Sequence, residues 1–150
     1  MDDRIKKLKT PQECEIFARN ATAKGRQDLA DEARQRAIQL RAEGYGAASG
    51  AERECLEAIY AYEEILFEKH GRRVTASRTW QMIKRRGIIA AIEAAVDRSD
   101  GTAGFTALKD VGLENFAFEA VILRHPDAFS PRAVERARQR MAQFDECDVI

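Results

Sequence analysis

No stretch of this chain alternates apolar and polar residues for long enough to make a convincing strand, and that absence constrains the fold more than any other feature. Ala, Arg, Glu, Gln and Leu dominate, and runs of β-branched residues are short, so local preference is helical throughout. The expectation is an all-α protein, a compact multi-helix single domain of seven or eight helices with an N-terminal antiparallel helical hairpin. Within 1–150, the hairpin takes 10–43, a Gly-rich linker 44–50, a helical core 50–144 and a polar tail 145–150. A length of 150 residues suits one ordinary domain, and 45% hydrophobic residues suffice for one core.

Helix boundaries are marked by caps and breakers. Thr10, Pro11 and Glu13 form a start signal: a hydroxyl acceptor, a proline that loses no donor, and an acid near the positive pole. The spacing predicts a helix over 11–23 with Cys14, Phe17, Ala18 and Ala21 inward, ended by Gly25, then a second over 27–43. The segment "AKGRQDLADEARQRAIQLR" resembles one helix-turn-helix unit of a tetratricopeptide repeat, which implies an antiparallel hairpin. No second copy follows it. Ser49 is placed to cap a third helix, about 50–70, with Cys55, Ile59, Tyr62 and Leu66 as its apolar stripe. Glu54, Glu57, Glu64 and Glu68 are expected on its solvated outer face, with Ala61 between them.

"GIIAAIEAAV" is apolar nearly all round and reads as a buried helix, about 88–98. "RSDGTAG" reads as a loop, "FTALKDVG" as a short helix stopped by Gly112, and "LENFAFEAVILRHP" as one further buried helix. Ser130 and Pro131 start a last helix with Val134, Ala137, Met141 and Phe144 inward and Arg132, Arg136, Arg138 and Arg140 over the rest.

The chain carries 25 basic and 25 acidic residues, yet "KHGRRVTASRTWQMIKRRG", 69–87, holds seven Lys and Arg and no Asp or Glu. If Thr75 or Ser77 caps a helix running to about 86, Ala76, Trp80 and Ile83 share one side, and Arg78, Gln81, Lys84 and Arg85 the other. Arg72 and Arg73 precede it. Lys and Arg neutralise phosphate oxygens, and Arg78 and Gln81 can form paired hydrogen bonds to base edges. The candidate nucleic-acid-binding set is therefore Arg72, Arg73, Arg78, Gln81, Lys84 and Arg85. The competing reading pairs Arg78 and Lys84 with Glu64 or Glu68, or leaves them solvated. Trp80 can stack on a base, but its spacing to Ile83 is that of a core residue.

A standard helix-turn-helix DNA reader does not fit. Aligned on Gly87, its key positions fall on Ile83, Glu93 and Val96; aligned on Gly112, on Leu108, Phe118 and Val121. The would-be reading helix there, "ENFAFEAVILR", is apolar and acidic.

Catalytic signatures are missing from the sequence. His70 and His125 each lie near a helix end, where free carbonyls or solvent are their expected partners. There is no zinc spacing, no phosphate-binding glycine loop and no Gly-x-Ser-x-Gly, so neither cofactor nor metal is expected, and an enzyme is the less favoured class. Cys14 and Cys55 read as core residues and Cys147 as exposed. Three scattered cysteines suggest reduced thiols in a cytoplasmic protein. No run is long enough to span a membrane.

Two functions follow as expectations. The first is a non-catalytic nucleic-acid-binding or nucleic-acid-associated module that binds DNA or RNA through 69–86. The alternative is a protein–protein adaptor or self-associating module whose partner is an acidic protein or a second copy of itself.

Overall fold

Side-chain caps written into the sequence start three of the helices, at Thr10, Ser49 and Ser130. A computed structural model describes residues 1–98 and 103–147, with side chains at 103 and 144–147 excepted. Nine α-helices occur there: α1 (Asp3–Lys6), α2 (Pro11–Ala23), α3 (Gln27–Tyr45), α4 (Gly50–His70), α5 (Ser77–Arg86), α6 (Ile88–Arg98), α7 (Ala103–Asp110), α8 (Phe118–Arg124) and α9 (Pro131–Cys147). Short 3-10 turns at Glu114–Phe116 and Pro126–Ala128 flank α8. Eight of the nine helices have seven residues or more, and no strand occurs among the described residues. The protein is all-α.

The chain divides into two compact units, Met1–Ala47 and Ala48–Ile150. In the first, α2 and α3 pack as the expected hairpin. The Thr10 hydroxyl accepts from the Glu13 N–H at 3.1 Å, while Glu13 accepts from the Lys9 N–H at 2.8 Å and completes the cap. Ile5, Ala21, Leu29 and Ala30 form a small core, with Leu8, Phe17 and Ala18 against it. Alanines at the contacts let the two helices approach closely. Arg41 closes the pair by donating to Glu15 at 2.8 Å. Helix α3 runs through Gly44 to Tyr45, so Gly44 is helical and the linker begins later than its glycines suggest.

In the second unit, Ser49 caps α4 by accepting from the Glu52 N–H at 3.2 Å. Replacing Ser49 with alanine is expected to cost about 1 kcal/mol in urea unfolding. The core gathers Cys55, Ala58 and Ile59 from α4, Ile83 from α5, and Ala91, Ile92 and Val96 from α6. Val121 and Ile122 of α8, then Phe129, Ala133 and Ala137 at and after the α8–α9 junction, complete it. Gly71 ends α4 at φ +70°, and Gly87 alone separates α5 from α6 at φ +90°. Both lie in the left-handed region that a side chain disfavours, so each turn depends on glycine.

Three expectations are corrected here. The "LENFAFEAVILRHP" segment is not one helix: Ala117 is extended (φ −61°, ψ 146°), and α8 starts afresh after a 3-10 turn. No glycine, proline or capping side chain stands at 117 to signal the break. Helix α9 continues to Cys147, so the tail expected from 145 is helical that far. Arg140 does not join a solvated face; it is buried and bonded to Glu119. The "RSDGTAG" loop falls mostly outside the described residues, as do the side chains of Phe144 and Cys147. Among the described residues, no helix is long and apolar enough to cross a membrane.

Candidate nucleic-acid interface

Helix α5 is positioned by its apolar side. Ile83 is buried, and Ala76, Trp80 and Met82 pack on the same core. The Trp80 ring lies 5.2 Å from that of Tyr60, and its indole N–H donates to Glu63 at 2.8 Å. Trp80 is thus a core residue with a satisfied polar edge. The same Glu63 oxygen accepts from the Ala76 N–H at 2.8 Å. A carboxylate from α4 takes the place of a local cap, since neither Thr75 nor Ser77 caps α5; its N-cap is Ala76.

This corrects the expected solvated acidic face of α4. Glu64 is 5% exposed and accepts from Arg73 at 2.8 Å. Ala61 is fully buried beside it. Glu54 accepts from Arg124 at 2.6 Å and meets the His125 ring nitrogen. Of the expected acidic stripe, only Glu68 is exposed. These carboxylates turn toward the rest of the second unit because polar groups of α5, α8 and the preceding loop need acceptors there.

The outward side of α5 differs. Arg72, Arg78, Gln81, Lys84, Arg85 and Arg86 are all exposed. None of these five cations forms an ion pair among the described residues. Arg73 is the exception in the candidate set: it bonds Glu64 and lies with its guanidinium carbon 4.2 Å from the Phe67 ring centroid. Arg78, Gln81 and Arg85 follow the i, i+3, i+7 spacing that aligns side chains along one helix face. Lys84, Arg85 and Arg86 occupy the last turn of α5, where positive charge suits the helix dipole. Among the described residues, the pairing of Arg78 or Lys84 with Glu64 or Glu68 that the sequence also allowed does not occur.

The Arg-rich last helix is less available. Arg132 donates to the Asp97 carboxylate and Arg136 to the Asp97 carbonyl, both at 3.3 Å. Arg138 pairs with Glu135 at 3.0 Å.

Cys55 and His125 are held in structural contacts. Burial pushes the Cys55 thiol up to about 12, with the Glu54 and Glu52 charges adding to it, so it is not a thiolate near neutral pH. His70 is exposed, and His125 meets a carboxylate instead of the carbonyls or solvent expected. Among the described residues, no three His, Cys, Asp or Glu side chains converge as metal ligands. Burial alone would raise the Glu54 pKa. The hydrogen bonds from His125 and Arg124 outweigh it and hold the carboxyl below its ordinary value. A depressed carboxylate contributes stability that is present above its unfolded pKa, about 4.3, and is lost as pH falls through the folded value. Urea midpoints measured from pH 7 to pH 3 are therefore expected to fall at the acid end. Glu54→Gln is expected to lower the neutral midpoint and flatten that acid slope.

Tyr62, expected on the inner stripe of α4, is 39% exposed and lines a groove beside Arg78. Its stripe spacing gives no sign of this; its neighbours Ala61 and Glu64 are buried instead.

Comparison with protein-family models, with curated proteins and with solved structures returns no match.

Proposed function

We propose that this chain is a non-catalytic nucleic-acid-binding helical module. Its contact surface is the outward side of Ser77–Arg86 and the loop before it. Arg72, Arg78, Lys84 and Arg85 meet phosphate, and Gln81 lies among them with a side chain able to bond a base edge. Arg73 supports the loop through Glu64 and is not a primary contact. The observation that carries the reading is that Arg72, Arg78, Lys84 and Arg85 are exposed and form no ion pair among the described residues, while nearby α4 carboxylates Glu63 and Glu64 are committed inward. Exposed charges of this kind add little to stability, so a polyanionic partner accounts for them better than folding does. Polarisation titration of a labelled oligonucleotide at low salt is expected to show saturable binding; none at any accessible concentration would overturn the reading.

A second reading, a helical adaptor or self-associating module, draws support from Ile16 and Tyr45, 53% and 47% exposed on the first unit. A salt-stable dimer in sedimentation, with no oligonucleotide affinity, would favour it instead.

A further inference from the structure

Next to the basic helix, an open groove of about 530 Å³ carries Arg78 and Arg98 with Tyr62, Leu66 and Ala95. Tyr62, Thr79 and Ala95 also line a deeper cavity of about 270 Å³, so the two spaces adjoin. The cavity is also lined by Phe105, Phe116, Phe118, Glu119 and Arg140. Arg98, like Arg78, is exposed and has no ion-pair partner among the described residues.

This space offers three kinds of chemistry: cations in the open groove, and aromatic rings and a buried carboxylate–guanidinium pair in the cavity. Arg140 donates to one Glu119 oxygen at 3.2 Å, and Arg140 is the one hydrogen-bond partner of Glu119 among the described residues. A carboxylate offers about four acceptor directions, so Glu119 retains capacity for another donor. At about 270 Å³ the cavity falls just below the usual range for small-molecule sites, about 300–1,000 Å³, and suits one flat ring system better than a larger compound. A ring with an amino edge, attached to a phosphate chain, complements all three.

We propose that the nucleic acid held by α5 is single-stranded, or carries an unpaired base, and that one unstacked nucleobase enters this cavity past Tyr62. The phosphates flanking it lie against Arg78 and Arg98. The walls stack on the ring, and the Glu119 carboxylate accepts from an exocyclic amino group, which favours adenine, cytosine or guanine over thymine or uracil. The inference rests on the binding reading above and goes further by naming the strand state.

The test compares polarisation titrations of an adenine-rich single strand, as DNA and as RNA, with the corresponding duplex. Wild type, Tyr62→Ala and Tyr62→Phe are used; Tyr62 is partly exposed, and circular dichroism checks that each variant folds. Expected are tighter binding of the single strand than of the duplex and a loss of about tenfold for Tyr62→Ala on the DNA or the RNA strand. Tyr62→Phe should retain affinity, and duplex binding should be insensitive to both variants. Sensitivity on either strand supports the proposal and identifies the preferred sugar. Equal affinity for strand and duplex, or single-strand binding indifferent to Tyr62→Ala, overturns it while the broader binding function stands. No binding to any of the three overturns both.

Discussion

Arg140→Ala is expected to lower the unfolding free energy by about 3–5 kcal/mol, read from urea denaturation of the full chain. The side chains of Arg140 and Glu119 are only 7% and 11% exposed, with 3.2 Å between nitrogen and oxygen. Truncating the arginine leaves the carboxylate on α8 inside the protein without its counter-charge. That penalty is distinct from the net worth of the pair, because both groups were desolvated to form it. The double variant Arg140→Met, Glu119→Leu removes both charges with similar volume and is expected to recover most of the lost stability. If the single and double variants were equally destabilised, packing by the arginine stem would be the dominant effect, and the electrostatic explanation would fail. An ordinary domain has about 5–15 kcal/mol to lose, so this one bond between α8 and α9 bears on whether the second unit folds at all.

The second large effect concerns binding. Arg78→Glu with Lys84→Glu is expected to weaken oligonucleotide affinity roughly a hundredfold at low salt, since each change removes a phosphate contact and adds a repulsion. Both side chains are exposed and make no ion pair among the described residues. Their replacement should therefore change unfolding by only about 1 kcal/mol, chiefly from reversing Lys84 in the last turn of α5. A larger loss of stability along with affinity would assign these cations a structural role. Arg73→Ala provides the contrast: it removes an ion-pair partner of the buried Glu64 and is expected to act on stability first.

Features decided within a few residues were legible in the sequence. Thr10, Ser49 and Ser130 start helices where their hydroxyls predict, and the Ser130 oxygen accepts from the Ala133 N–H at 3.2 Å. Gly71 and Gly112 stop helices as expected, both at positive φ. The amphipathic division of α5, with Ile83 inward and Arg78, Gln81, Lys84 and Arg85 outward, follows directly from its helical period. Features decided by distant partners were not legible. Glu64 looks like a solvated acid until Arg73 and the chain after it fold back over α4. Arg140 looks like one of several surface arginines until α8 presents Glu119. Glu63 and Glu64 are adjacent, and the sequence does not indicate that both serve as acceptors for the 73–80 segment. The groove beside Tyr62 has the same origin, because it exists only where α4, α5 and α6 meet.

The most direct test of the central claim is the dependence of oligonucleotide affinity on salt. With Arg72, Arg78, Lys84 and Arg85 each displacing a counterion from a single strand, the slope of log affinity against log salt is expected to be about −3. The Arg78→Glu, Lys84→Glu variant should give a slope shallower by about 1.5. A wild-type slope near zero, or one that the double reversal leaves unchanged, would contradict the assignment of this surface to a nucleic acid.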